Sequence, residues 1–336
     1  MSTYEAAGVN IELGDESSRI AYKAAMETFA GRKGMIGEPI KDEGGFAGVL
    51  DMGDFYLVQN DDGVGTKIEI AEHIEKYDTL GYDLIAMVAD DAICIGAEPI
   101  SVTNTLDVDK VDPVKIGALM NGLKEAALKH KIVIPGGEIA ELGNAVNGYL
   151  WNATAVGIVE KEKIITGQTI RPGDQIIALH SAGFRANGLS LVRHILKNKL
   201  GEDWAHQKYD TERTWGEVTL TPSIIYTSAI LELHGRFRQP KIADLKGIAH
   251  ITGGGIEGNL HRVMKKTQFR ANLDRLPTPH EPMLRLMEMG QVSEQEARKT
   301  WNMGVGMIVV SNDVDQIASV CQKHGIKTSI IGQVEI

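Results

Sequence analysis

The sequence predicts an α/β (α+β) protein built from two domains, and three observations carry that reading. Strand-like and helix-like segments alternate along the chain. Its 336 residues correspond to two domains at roughly 150 residues each. Its 37 glycines fall in groups, placed where a strand gives way to a helix. At 43% hydrophobic and 24% charged residues, the chain has the composition of a globular protein rather than a disordered one. Lys plus Arg number 35 against 45 Asp plus Glu, a formal net charge of -10. The chain therefore lacks the global field of a nonspecific nucleic-acid binder. Phosphorylated small molecules remain possible ligands, because a local site or a metal supplies positive charge. Two cysteines, Cys94 and Cys321, make neither a disulfide framework nor a thiolate zinc site. No apolar run is long enough to span a membrane. The opening MSTYEAAGVN lacks the basic patch and apolar core of a secretory signal. A cytoplasmic location is the resulting expectation.

The elements follow in order. Phe55 to Gln59 reads as a strand after a turn at Met52-Gly53-Asp54, and residues 60–67 as a polar glycine loop. Residues 80–95 carry helical periodicity, with Leu84, Met87 and Val88 on one face. Ile100 to Asp107 alternates as a strand, and residues 113–130 form an amphipathic helix. Ile132-Val133-Ile134 reads as a strand ending at Pro135-Gly136-Gly137-Glu138, and Ala153 to Glu160 as another. A boundary falls near 161–172, where charged residues lead into the turn Arg171-Pro172-Gly173-Asp174. The predicted domains are 1–165 and 166–336. In the second, Gln175 to His180 is a strand, Ser181 to Gly188 a loop and Leu189 to Lys199 a helix. Residues 201–217 read as an irregular surface insertion, and about 222–235 as a helix. The glycine loop at Gly253-Gly254-Gly255 precedes another helix, and Val305 to Ser311 and Thr328 to Val334 are strands.

Five groups of residues point to chemistry. Asp61-Asp62-Gly63-Val64-Gly65-Thr66-Lys67 follows a strand. Its carboxylates suit a hard divalent cation, its glycines let backbone amides face an anion, and Thr66 and Lys67 complete a phosphate contact. The spacing is not that of a P-loop. Asp83, Asp90 and Asp91 interrupt an apolar helix. Acids there are buried only if paired or metal-bound, and near the helix end the dipole disfavours them unless a cation is present. Gly136-Gly137-Glu138 puts an acid at a strand end. With Asp62 and Asp91 it makes a set of oxygen ligands for Mg²⁺. Gly253-Gly254-Gly255-Ile256-Glu257-Gly258 fits G-x-G-x-x-G, but the nearest acid, Asp274, comes too early for a dinucleotide site. A phosphate or sugar at a helix N-terminus fits better. The glycine-rich run Glu43-Gly44-Gly45-Phe46-Ala47-Gly48 closes over a nucleotide or acts as a connector. Met283, Leu284, Leu286 and Met287 read as core, and residues 261–266, His-Arg-Val-Met-Lys-Lys, as a solvated helix end. No His-Glu-x-x-His or Gly-x-Ser-x-Gly occurs, which disfavours a zinc peptidase and an α/β-hydrolase.

Taken in order, these motifs resemble the phosphoribosylformylglycinamidine cyclo-ligase (aminoimidazole ribonucleotide synthetase) family over nearly the whole chain. Tyr4 to Ile11 is similar to the family's Tyr-x-x-Ala-Gly-Val-x-Ile, residues 62–67 to DGVGTK, 96–99 to GAEP and 136–138 to GGE. Leu220-Thr221-Pro222, residues 249–255 (AHITGGG) and residues 302–307 (NMGVGM) match its C-terminal signatures. The resemblance implies a two-domain fold whose N-terminal sheet pairs with that of a second subunit into a dimer barrel. It implies ATP and Mg²⁺ in a cleft completed by Gly44, Gly45, Phe46 and Gly48. The implied reaction closes formylglycinamidine ribonucleotide to 5-aminoimidazole ribonucleotide, step five of de novo purine synthesis, with release of ADP and phosphate. Transfer of the γ-phosphoryl group turns an amide oxygen into a leaving group, and the substrate's own amidine nitrogen displaces it. Asp62, Asp91 and Glu138 are then expected on Mg²⁺, with Asp61 auxiliary, and Lys67, Asp91 and Asn187 in catalysis. Gly63, Gly65, Thr66, Lys67, Gly137 and Gly253 to Gly255 line the nucleotide or substrate. The sequence departs from the family pattern in two places. Arg185 stands where the C-terminal loop usually has His, and Leu150-Trp151-Asn152-Ala153 where the family often has an Asp before Ala-Gly. Arg binds phosphate but is no base near neutral pH. The competing readings are another phosphoryl-transfer enzyme of the same superfamily, such as a small-molecule kinase or a selenophosphate synthetase, a catalytically silent nucleotide-binding homologue, and a dinucleotide oxidoreductase.

Overall fold

In the computed structural model, residues 2–41 and 45–336 are described. The first part of the chain runs α1 (Ile11–Glu27), β1 (Glu38–Ile40), β2 (Gly48–Asp51), β3 (Phe55–Gly63), α2 (Lys67–His73), α3 (Leu80–Ile93), β4 (Glu98–Val108), α4 (Pro113–His130), β5 (Gly137–Glu141) and β6 (Tyr149–Glu160). The second runs β7 (Gln175–His180), α5 (Leu189–Leu200), α6 (Trp215–Thr219), α7 (Thr227–His234), β8 (Gly247–His250), α8 (Gly255–Met264), β9 (Arg270–Asn272), α9 (Glu281–Gly290), α10 (Glu294–Thr300), β10 (Val305–Ser311), α11 (Val314–Lys323) and β11 (Thr328–Glu335).

Among the described residues the strands form two sheets. The first has the order β1-β2-β3-β6-β4-β5, the second β8-β10-β7-β11-β9. Helices α3 and α4 cover one face of the first sheet. Helix α4 begins where sequence rules place a start: Asp112 accepts from the amides of Val114 and Lys115, and Pro113 occupies the first turn. It ends at Lys131 in the left-handed conformation, with Lys129 and His130 complementing the dipole. Gly81 and Gly122 let the two helices touch, since a Cβ on Gly81 would lie 2.1 Å from the Leu123 nitrogen. The other face of the first sheet carries Leu57, Val156 and Ile158, all half-buried, and Leu150, exposed.

Helix α3 is shared. It packs on β3, β4 and β6 of the first sheet and also meets α7 and β8. Its sequence explains this position, because both apolar faces are buried: Leu84, Ile85, Met87, Val88 and Ala89 are all at most 2% exposed. Three of its carboxylates are thereby brought to the seam between the sheets.

Four expectations need correction. The polar loop after β3 begins later than predicted, since pairing with β6 continues to Gly63 opposite Asn152. Residues 132–134 form only an isolated bridge at Val133, and the strand starts at the second glycine, Gly137. The 201–217 segment is no surface insertion: Trp204, Ala205, Tyr209 and Trp215 are buried in the core, with Tyr209 and Trp215 edge to face at 4.8 Å. Residues 222–226 precede the helix rather than opening it.

Candidate active site

Strand β3 delivers Asp62. Successive strand residues face opposite ways, and Val58, Asn60 and Asp62 point toward α3 while Gln59 and Asp61 are exposed on the other face. The two adjacent acids therefore do not share one cation. Asp61 accepts from the Thr154 hydroxyl on the outer face. Asp62 accepts from the Gly63 amide at 2.7 Å. Burial raises its carboxyl to about 6; the Gly63 bond opposes the rise, the charge of Asp91 adds to it and His250 opposes it.

Helix α3 delivers Asp91 from its last turn, where a negative charge meets the negative end of the dipole. Asp91 keeps 17% of its side chain accessible. Burial pushes it up to about 7, against the pull of Arg262 and Arg185. His250, the last residue of β8, stands 2.7 Å from the Asp91 Oδ1 through its Nδ1. Burial, with the charge of Arg185, lowers the His250 imidazole to about 3. Asp62, Asp91 and His250 form one electrostatic neighbourhood, a cluster of shifted groups of the kind found at functional sites.

Around this centre the chain closes in from several elements. Arg262 of α8 bonds the Gly45 carbonyl at 2.5 Å and lies over the Phe46 ring at 4.0 Å, and its charge also acts on Asp91. Residue 262 is thus no solvated helix end. Gly48 opens β2, exposed, and Gly44 lies outside the described residues. Gly65 (φ 53°) faces the Ala186 carbonyl, and the Thr66 and Ser190 hydroxyls meet at 3.3 Å. The first glycine turn therefore abuts the 182–188 loop. Asn187 in that loop is half-buried against the Met87 sulfur of α3. Gly253 is exposed with open space where a Cβ would project, and Gly254 and Gly255 take positive φ to start α8. At Gly255 a Cβ would collide with the Arg298 carbonyl.

Three predicted residues lie elsewhere. Lys67 is wholly buried, and its ammonium donates to Asp83 Oδ1 at 2.8 Å and the Thr221 carbonyl at 2.7 Å. It bridges α2, α3 and the second half of the chain, and is not offered to a phosphate. Glu138 is opposite Thr105, which is opposite Asn152. That row lies on the outer face, and β5 is three strands from β3, about 14 Å at the usual strand spacing. Glu138 and Asp62 cannot ligate one ion within this chain. Gly137 approaches Asn104 too closely for a side chain, a Cβ there lying 2.8 Å from the Asn104 carbonyl oxygen, so its glycine is required by packing. Among the described residues there is no group of three or more His, Cys, Asp or Glu placed to hold a metal. The residues that fit Mg²⁺ are the pair Asp62 and Asp91: hard oxygen donors whose raised values a cation would reverse.

Arg185 stands in the same 182–188 loop. It is 1% exposed and takes a left-handed backbone at φ 61°. Its guanidinium pairs with Asp90 at 3.1 Å, donates to the Ile224 carbonyl at 3.0 Å and lies over the Tyr226 ring at 5.0 Å. Asp90 in turn accepts the amides of Tyr226 and Thr227 at 2.9 and 3.1 Å, satisfying donors at the start of α7. Arg185 thus lies behind the acid pair rather than in the cleft.

A two-sheet fold with an acid pair at its seam, closed by glycine loops from both halves, defines an AIR synthase-type protein. The family models for AIR synthase related proteins match here, the N-terminal domain over residues 44–159 and the C-terminal domain over 171–335. A phosphoribosylformylglycinamidine cyclo-ligase of Thermococcus kodakarensis is 41% identical over 310 residues, 92% of this chain and 88% of that protein. One from Methanococcus maripaludis is 35% identical over 338 residues, covering 100% and 93%. The chain belongs to the phosphoribosylformylglycinamidine cyclo-ligase family. Among solved structures, "AaThiL complexed with AMPPCP and TMP" superposes with a TM-score of 0.64 at 14% identity, covering 97% of this chain and 92% of that one. "T. maritima PurL complexed with FGAR" gives 0.59 at 16%, covering 91% and 46%. These last two likenesses concern the fold.

Proposed function

We propose that the protein catalyses ATP-dependent cyclisation of formylglycinamidine ribonucleotide to 5-aminoimidazole ribonucleotide, releasing ADP and phosphate. The observation that supports this most strongly is the Asp62–Asp91 pair, two buried carboxyls within reach of each other's charge at the seam between the sheets, in a chain of cyclo-ligase ancestry. Asp62 and Asp91 are the residues to hold Mg²⁺, which when bound offsets charge on phosphate oxygens. Arg262, which holds Gly45 and Phe46, would keep this part of the glycine-rich run near the nucleotide. The 253–255 loop and Asn187 line the substrate side. The chain's task is to align the formyl oxygen with the γ-phosphate, then the amidine nitrogen with the activated carbon. Nucleophile and electrophile share one molecule, so much of the acceleration comes from proximity. Phosphate leaves as the ring closes and a proton leaves the nitrogen. Residues 1–165 and 166–336 are proposed as the nucleotide and substrate domains of a cytoplasmic homodimer joined through the outer face of the first sheet. Among the described residues no helix is long and apolar enough to cross a membrane.

Incubation with ATP, Mg²⁺ and formylglycinamidine ribonucleotide, with products identified by mass, tests the assignment. Aminoimidazole ribonucleotide and ADP in equal amounts are expected. ATP binding without substrate-dependent turnover would instead identify a silent homologue, and phosphorylated substrate without ring closure a kinase.

A further inference from the structure

We infer that Arg185 fixes the tautomer of His250, so that the imidazole presents an N–H to Asp91 and holds that carboxylate in position for its ligand. The inference rests on the proposed reading of Asp91 as a cation ligand. A guanidinium has donors only and keeps its proton in proteins. The Arg185 Nη2 stands 3.1 Å from Asp90 Oδ2 and 2.9 Å from His250 Nε2, one acceptor for each of its two hydrogens. His250 Nε2 must therefore accept. An imidazolium, or the other tautomer, would set two donors face to face at 2.9 Å. The ring proton belongs on Nδ1, and Nδ1 is the atom 2.7 Å from Asp91 Oδ1.

The rest of the surroundings hold this chain of donors still. Ile224 and Tyr226 fix the guanidinium, and the Tyr226 and Thr227 amides fix Asp90. His250 is fully buried, so water does not compete for its nitrogens. The left-handed backbone at Arg185 is a conformation that non-glycine residues disfavour. It is maintained where it aims the guanidinium at two partners at once. Arg185 and His250 are positioning residues: they act on the cleft through Asp91. A hydrogen bond that orients a ligating carboxylate is the kind of outer contact whose loss lowers metal affinity about 10- to 100-fold.

Two measurements test this. Nitrogen NMR of the full-length protein with ¹⁵N-labelled histidine, the His250 signals identified by their absence in H250Q, reads the tautomer directly. A protonated Nδ1 and a bare Nε2 are expected in the unliganded wild type; the reverse pattern, or an imidazolium at pH 7, overturns the inference. Mn²⁺ binding in the presence of ATP then reads the consequence. In H250Q an amide still accepts from Arg185 and donates to Asp91, so its Mn²⁺ affinity should stay within about threefold of wild type, while H250L loses about tenfold or more. H250L with wild-type affinity overturns the positioning role. Wild-type protein that binds no Mn²⁺ with ATP overturns the cation reading of Asp91, a result separate from the tautomer. The tautomer is read on wild-type protein, so the inference stays testable even if H250L does not fold.

Discussion

At the residue scale, Asp62 and Asp91 are carboxyls whose ionisation burial disfavours, raised to about 6 and about 7. Replacing either by Asn should lower ATP-dependent turnover by about 100-fold or more, since charge stabilisation at the phosphates is the term removed. The metal-free fold should melt no lower than wild type, because an amide avoids ionisation of a desolvated acid. Steady-state kinetics with melting curves check both parts, and a loss below about threefold in both variants would contradict the assignment. The pH dependence has a definite sign. Both folded values lie above the ordinary 3.8, so between about pH 4 and 7 the native carboxyls hold protons that the unfolded chain has released. Ionising them costs metal-free stability as the pH rises, and a bound cation relieves that cost. The rise in Tm with saturating Mg²⁺ should be large at pH 8, shrink through pH 7 and nearly vanish below pH 6. An equal shift at pH 8 and pH 5.5 would contradict it.

At the element scale, a buried ion pair ties α2 and α3 to the segment that leads into α7. Lys67 and Asp83 are both fully buried, and Asp83 also accepts from the Ser223 amide and hydroxyl. Asp83→Ala leaves an uncompensated ammonium, for a loss of about 3–5 kcal/mol in denaturant unfolding. An unchanged stability would mean that Lys67 is free to serve a phosphate. Two neutral histidines dock α7: His130 meets the Ser228 hydroxyl at 2.8 Å and His234 meets the Lys163 carbonyl at 2.9 Å. Burial lowers both to about 4, from 6.5. Their contribution is complete above about pH 6.5 and is lost as the pH falls toward 4, because the unfolded chain takes up protons first. Amide exchange in α7, corrected for intrinsic rates, should accelerate between pH 7 and 5. Uniform protection across that range would contradict the docking role.

At the scale of the whole molecule, the legible part of the sequence was the part governed by local rules. Strands Gln175–His180 and Val305–Ser311 and helix Pro113–His130 follow from burial period, caps and turns, which their own residues carry. The acids Asp62 and Asp91 and the glycine loops were legible because buried charge and grouped glycine are costly without a purpose. What depended on register was not. Starting β5 at Gly137 turns Glu138 to the outer face, and extending β3 to Gly63 separates Asp61 from Asp62. Neither shift changes the local pattern. Partners distant in sequence were equally hidden. Nothing local pairs Arg185 with Asp90, 95 residues away, or Lys67 with Asp83 rather than with phosphate. Arg262 carried no signal apart from its helix. The buried 201–217 segment did carry one, in two tryptophans and a tyrosine within seventeen residues. On the outer face, Val156→Asp should convert the proposed dimer to a folded monomer in sedimentation; a dimer that survives the change uses another surface.

The central claim is that the substrate's formyl oxygen accepts the γ-phosphoryl group and leaves as phosphate. The most direct measurement is a single-turnover reaction with formylglycinamidine ribonucleotide carrying ¹⁸O in the formyl group, with mass analysis of the inorganic phosphate. One ¹⁸O per phosphate released is predicted, because the oxygen that accepts the γ-phosphoryl group departs with it. Unlabelled phosphate, with ¹⁸O in water or retained on the product, would contradict the account.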